Sequence, residues 1–178
     1  MMCLRIHSHL FSFAITTLAL SSTAFADGFE LQDAYRSARQ NHWQGNEFSL
    51  HYITQESDVL TFGAYFSNTS WRINKEKRGQ VKEFGPEVRY AVPAGPFSGY
   101  AGFQYALFSD GSYTIDQHDV GMKVRGPRLT IGALYPVESI GLVLSFGVTN
   151  GWERMDTYAD RHSNDVFESH SVFLGVSI

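Results

Sequence analysis

Between Glu83 and Phe108 the chain reads EFGPEVRYAVPAGPFSGYAGFQYALF, and successive side chains alternate in kind. Phe84, Pro86, Val88, Tyr90 and Val92 fall on one parity, with Glu83, Gly85, Glu87, Arg89 and Ala91 on the other. A period of two is the signature of a strand, whose side chains project to opposite faces in turn. Pro93-Ala94-Gly95-Pro96 forces a turn, and Phe97, Gly99, Ala101, Phe103, Tyr105 and Leu107 then share an uncharged face. The stretch is a β-hairpin with one apolar and one polar face, and any fold for the chain must accommodate both.

The same alternation recurs down the chain. Phe48, Leu50 and Tyr52 oppose Glu47, Ser49 and His51, and Leu60, Phe62, Ala64 and Phe66 oppose Thr61, Gly63, Tyr65 and Ser67. His118, Val120, Met122 and Val124 oppose Asp119, Gly121 and Lys123. Turns are expected at Thr54–Asp58, Ser109–Ser112 and Arg125–Pro127, each rich in turn-forming residues. Leu129, Ile131, Ala133 and Tyr135 then oppose Arg128, Thr130 and Gly132. Further strands run from Ile140 to Val148 and from Ser171 to Ile178.

This gives an all-β chain of about eight strands, each about ten residues long and able to cross a bilayer at a tilt. One face of these strands is nearly free of charge, and the other gathers Glu47, His51, Glu87, Arg89, Asp119, Lys123 and Arg128. A water-soluble barrel or sandwich would place charge outside and apolar groups within. Recurrent mid-strand charge on the inner face is the pattern of a membrane barrel with a polar, filled lumen. The expected fold is therefore an antiparallel transmembrane β-barrel over 46–178, and these charges are its lumen network. The short connections at Thr54–Asp58, Pro93–Pro96 and Arg125–Pro127 do not alternate with long ones in an eight-strand count. The strand count is therefore open near the N-terminus and around Trp152 to Tyr158.

The N-terminal segment has a different character. Arg5 precedes the apolar run Leu10–Leu20, which is too short for a comfortable bilayer span, and Ala24-Phe25-Ala26 is a small-x-small site. Residues 1–26 read as a signal peptide cleaved after Ala26. The single cysteine, Cys3, lies within it, so no disulfide or thiolate metal site is expected in the mature chain. Over Glu30–Trp43, Leu31, Ala34, Tyr35 and Ala38 fall at helical spacing, so a short amphipathic helix is expected within 27–45. Formal charge is −4, which gives a nucleic-acid partner no electrostatic support.

An exported chain of this size, ending in Val172-x-Leu174-x-Val176-x-Ile178, resembles the small outer-membrane β-barrels of Gram-negative bacteria. That resemblance implies an outer-membrane location, lipid and lipopolysaccharide as neighbours, barrel-assembly machinery as a partner in biogenesis, and a monomer. His162, Ser163-Asn164 and Glu168 resemble the C-terminal end of the lipid A 3-O-deacylase family, whose histidine, serine and glutamate lie near the last strand. The resemblance implies Ser163 as nucleophile, His162 as base and Glu168 as orienter. That family carries one residue between its histidine and serine. Here the two are adjacent, so on a strand they would point to opposite faces. The segment reads first as a polar surface loop, a composition common in barrels.

Three functions follow in order: a non-enzymatic envelope or interaction protein acting through Ser67–Gln80 and Gly151–Phe167, a lipid A acyl hydrolase, and a periplasmic lipocalin-like carrier. Neither metal-ligand spacing nor a glycine-rich phosphate loop is present, so no cofactor is expected.

Overall fold

The structure, a computed structural model, describes residues 27–38, 43–55, 59–73, 77–115, 118–157 and 165–178. They form nine antiparallel strands: β1 (Asp27–Ala38), β2 (Trp43–Gln55), β3 (Leu60–Ile73), β4 (Lys77–Ala94), β5 (Phe97–Ala106), β6 (Phe108–Ile115), β7 (His118–Val137), β8 (Leu142–Thr157) and β9 (Asp165–Ser177). β5 and β6 lie end to end between β4 and β7, so the nine strands occupy eight positions. A one-residue bulge separates them: Glu87 pairs with Gln104, whereas Phe84, three residues away, pairs with Phe108, four away.

The sheet closes on itself. Hydrogen-bonded partners can be followed from Glu87 through Gln104, Arg128, Gly151, Ser169, Ala38, Trp43 and Ile73 to Lys77. One circuit thus returns to β4 ten residues from its start, the stagger that tilts the strands of a closed sheet.

Among the described residues there is no helix, and the helix expected over Glu30–Trp43 is β1 and the start of β2. Leu31 and Tyr35, and Ala34 and Ala38, are four residues apart, a spacing that keeps a pair on one face in either period. What decides is pairing. β1 lies between β2 and β9, and as a helix it would leave both edges without partners. Residues 27–38 are thus strand, paired on both sides within the sheet.

Two expected turns are also strand. Ser109–Ser112 lies inside β6, and Arg125–Pro127 lies inside β7, where Gly126 adopts φ 148° and Pro127 has no N–H to donate. The short connections after β2, β4 and β7 then share one end of the sheet with the start of β1 and the end of β9. The misfit in connection lengths disappears with these corrections. Residues 1–26, with the expected signal peptide, lie outside the described residues.

Along most of the ring the outward side chains are large and apolar: Phe29, Phe48, Phe62, Tyr90, Phe103, Ile131, Phe146 and Leu174 are all at least 42% exposed. Toward the end carrying the β3–β4 and β8–β9 connections, the polarity reverses on both faces. On β7 the outward residues change from Leu129 and Ile131 to Arg125 and Lys123, while the inward ones change from Arg128 to Val124 and Met122. Trp43, Trp71, Val81, Met122, Val124, Met155 and Ala38 form an apolar core there, with Trp43 and Trp71 edge to face at 5.4 Å.

A Cβ on Gly85 would lie 1.8 Å from the carbonyl oxygen of Tyr105 at the bulge, whereas one on Gly99 would meet nothing within 4 Å. Gly85→Ala is expected to destabilise the folded sheet by about 1–3 kcal/mol through the backbone shift it forces. Gly99→Ala should stay within about 0.5 kcal/mol. Urea unfolding in detergent micelles checks the pair.

Candidate functional site in the sheet interior

The strand parity that puts apolar groups outside sends charge inward, and the inward charges form two layers. In the first, Arg36 (β1) and Arg128 (β7) each touch the same three carboxylates, Glu47 (β2), Glu83 (β4) and Glu153 (β8). Arg36 Nη1 lies 3.0 Å from Glu47 and 3.1 Å from Glu83, and Nη2 reaches Glu153. Arg128 donates Nε to Glu153 at 2.7 Å and Nη1 to Glu47 at 3.1 Å, and its Nη2 reaches Glu83. Thr69 donates to Glu47, Ser67 to Glu83 and Ser169 to Glu153, which ties in β3 and β9. The Trp71 and Tyr65 rings lie 4.9 and 5.7 Å from the Arg36 and Arg128 guanidinium carbons, so aromatic faces share the cationic charge.

The second layer centres on Arg89 (β4), which donates Nε to Glu87 at 2.6 Å and pairs through Nη1 with Glu30 (β1). Gln32 and Ser145 also donate to Glu30, and Gln104 donates to Glu87. The ring nitrogens of His51 (β2) face Glu87 at 2.6 Å and Ser49 at 2.9 Å. Glycine makes room at these points. A Cβ on Gly151 would lie 2.6 Å from Ser169 Oγ, and one on Gly175 2.4 Å from Ser145 Oγ.

Ser49, His51 and Glu87 thus stand in the order of a nucleophile, a base and its orienting carboxylate. They are buried, at 2%, 1% and 4% exposure, and the tryptophan-rich core lies between them and the far end of the sheet. Toward the end holding the termini, Tyr100 packs with Ala34 and Phe173, flanked by Ala91 and Leu134. The arrangement is part of the buried polar core formed by the described residues. The lipocalin-like carrier loses its basis, because ion pairs occupy the volume that an apolar ligand would need.

Of the residues expected in the lumen, Glu47, His51, Glu87, Arg89 and Arg128 lie in these layers, and Asp119 and Lys123 do not. Asp119 is exposed, accepting from Thr114 Oγ1 at 2.7 Å, and Lys123 alternates with the inward Met122 and Val124. Their parity was read as if the apolar face were outward along the whole of β7, whereas above Pro127 it is inward. Among the expected catalytic residues, Glu168 is exposed on the outward face of β9, opposite Trp152. His162 and Ser163 lie outside the described residues. On the same outward face His170 Nδ1 and Asn150 Oδ1 are 2.7 Å apart.

Sequence reasoning missed Glu30, Arg36, Glu83 and Glu153 as network members. Glu30 and Arg36 were assigned to a helix and Glu153 to a loop. For Glu30 and Arg36 the signal is their spacing, since residues six apart share one face of a strand, and Glu83 shares the parity of Glu87 and Arg89.

Comparison with solved structures places this architecture. Neisserial surface protein A matches with a TM-score of 0.66 at 15% identity, over 85% of this chain and 94% of that one. The likeness is one of fold. Ail, the attachment invasion locus protein of Yersinia pestis, in complex with the heparin analogue sucrose octasulfate, matches at 0.55 and 10% identity over 85% and 95%. The outer membrane protein OprG of Pseudomonas aeruginosa matches at 0.53 and 9% over 86% and 96%. The chain thus has the closed antiparallel fold of small outer-membrane barrels. No protein-family model matches it, and a comparison with curated proteins finds no relative.

Arg36→Ala would leave three buried carboxylates with one guanidinium, and a loss of about 3–5 kcal/mol is expected in urea unfolding. Arg154→Ala removes an exposed pair with Asp156 at 3.3 Å and should cost no more than about 1 kcal/mol.

Proposed function

We propose that the chain is an exported, monomeric outer-membrane β-barrel without a pore, which works through the surface it holds above the lipid. The carrying observation is the pairing of a charged, ion-paired interior with an apolar exterior over the same stretch of strand. In water, burying five charged residues in one layer while exposing Phe29, Phe48, Phe103 and Leu174 would be unfavourable on both faces. In a bilayer the exterior is solvated by acyl chains and the closed sheet leaves no strand edge unpaired. The outward apolar run on β4 from Phe84 to Val92, at about 3.3 Å per residue and a tilt near 40°, covers roughly 20 Å of the axis. That is close to the apolar band of about 25 Å typical of such barrels. Aromatic pairs lie near its borders: Phe29 with Tyr52 and Phe97 with Tyr135 on the side of the termini, and Phe84 with Phe108 on the other.

The end carrying the termini would face the periplasm, and the extended strands of β4, β6, β7 and β8 the exterior. Cleavage after Ala26 would release the exported chain, and assembly would use the barrel-assembly machinery of the host. The regions expected to act as loops are largely strand, since β3, β4, β8 and β9 run through most of Ser67–Gln80 and Gly151–Phe167.

A second reading, lipid A acyl hydrolysis by Ser163, His162 and Glu168, draws support from Glu168. That carboxylate is exposed on the outward face of β9 beyond Val172, near the level where acyl chains meet headgroups.

Ile131, 66% exposed at mid-band, decides the environment. Ile131→Arg should destabilise the protein in lipid vesicles by about 2–4 kcal/mol, and Ser112→Arg, above the band, by no more than about 0.5. Equal small effects would contradict membrane embedding. Lipid A mass spectra from cells with and without the protein should match; loss of one acyl chain would instead establish the hydrolase.

A further inference from the structure

On the outward face above the apolar band, Arg72 of β3 and Arg78 of β4 are register partners. Both are exposed, and no described carboxylate pairs with either. Like charges directly opposite each other across a ladder repel, so this pair weakens the sheet it sits on unless an anion lies between them. Around it the outward positions are amides and hydroxyls: Gln44 and Asn46 on β2, Ser70 on β3, Gln80 on β4, Ser112 on β6. The same residues line an open groove, with Tyr35 at its membrane end and Thr114 and the carboxylate of Asp119, hydrogen-bonded to each other, on its far side. Gln80 donates to Asn68 at 2.8 Å, and Lys82 follows one outward position nearer the lipid, with Asp110 of β6 as its register partner. Then the apolar band begins, with Phe66 on β3 and Phe84 on β4.

We propose that this face is a binding site for the phosphorylated saccharide headgroup of a glycolipid in the surrounding leaflet. Guanidinium groups match phosphate with paired N–H donors, and a second guanidinium alongside suits a dianion. Side-chain amides and hydroxyls, which donate and accept together, suit sugar hydroxyls. A glycolipid is favoured over a soluble polyanion because the polar face runs without a break into the apolar band. Acyl chains lying on Phe66, Phe84, Phe48 and Tyr35 would bring the headgroup to the arginines. The proposal rests on the membrane-embedded reading and adds to it a ligand and a place.

The test compares the wild type with Arg72→Gln/Arg78→Gln and with Arg78→Glu, each folded in detergent and checked by heat-modifiable migration. Binding is measured for lipopolysaccharide, for its enzymatically dephosphorylated form and for heparin. The wild type should bind lipopolysaccharide at least tenfold more tightly than the dephosphorylated form, and should bind heparin more weakly than either. The double variant should lose that tenfold preference. Arg78→Glu turns the repulsion into an ion pair, so it should raise the unfolding temperature of the free protein while removing the preference. Unchanged binding in the double variant would overturn the site, and tighter binding of heparin would overturn the choice of a lipid. Wild-type protein that stays soluble without detergent would instead overturn the membrane reading, so the two failures are distinguishable.

Discussion

Two arginines and three glutamates meeting in one layer set the terms for the rest of the molecule. Arg36 and Arg128 each contact Glu47, Glu83 and Glu153, and the five residues come from five different strands. Buried ion pairs of this kind add little net stability compared with a well-packed apolar core, since desolvation offsets much of the attraction. Their effect is on register. A slip of one residue in β1, β4 or β8 would send a charge from the layer into the apolar exterior and bring a large apolar side chain inward. Only one pairing of the strands therefore satisfies both faces, and the circuit from Glu87 back to Lys77 is that pairing.

The charged layer also explains why the outside is apolar and why it stops being so. Where the interior carries ions, the exterior carries Phe48, Phe84, Leu129 and Val148; where the interior changes to Trp43, Trp71, Met122 and Met155, the exterior changes to Arg78, Lys123 and Arg154. A strand that crosses from lipid into water must exchange its faces in this way, because in lipid the apolar side faces out and in water it faces in. The barrel thus ends, on the side away from the termini, in a short segment built like a soluble β-protein. That segment displays the Arg72–Arg78 face.

The alternation at Glu83–Phe108 made the fold class legible, because mid-strand charge opposite an uncharged face has few other interpretations. It also located Glu47, His51, Glu87, Arg89 and Arg128 on the correct side. The failures along β7 share a cause. At Arg125–Pro127 the apolar parity shifts from Met122 and Val124 to Leu129 and Ile131, and a shift of phase reads as a turn when the solvent is assumed constant along the strand. The strand is continuous, and on the membrane-embedded reading proposed above the solvent is what changes. The same assumption put Asp119 and Lys123 inside. β1 was lost for another reason: its residues four apart fit both periods, and only its partners β2 and β9, invisible in a local window, decide between them. Two strands read from one continuous β7 offset the missing β1, so a nearly correct count concealed a wrong topology.

Spin labels placed singly at outward positions along β7, with collision rates measured against oxygen and against a water-soluble nickel chelate, test the exchange of faces most directly. The account predicts oxygen-dominated collisions at Leu129, Ile131 and Ala133, chelate-dominated collisions at Asp119, Lys123 and Arg125, and the crossover at Pro127. Chelate access at all of these positions in protein reconstituted into vesicles would contradict it.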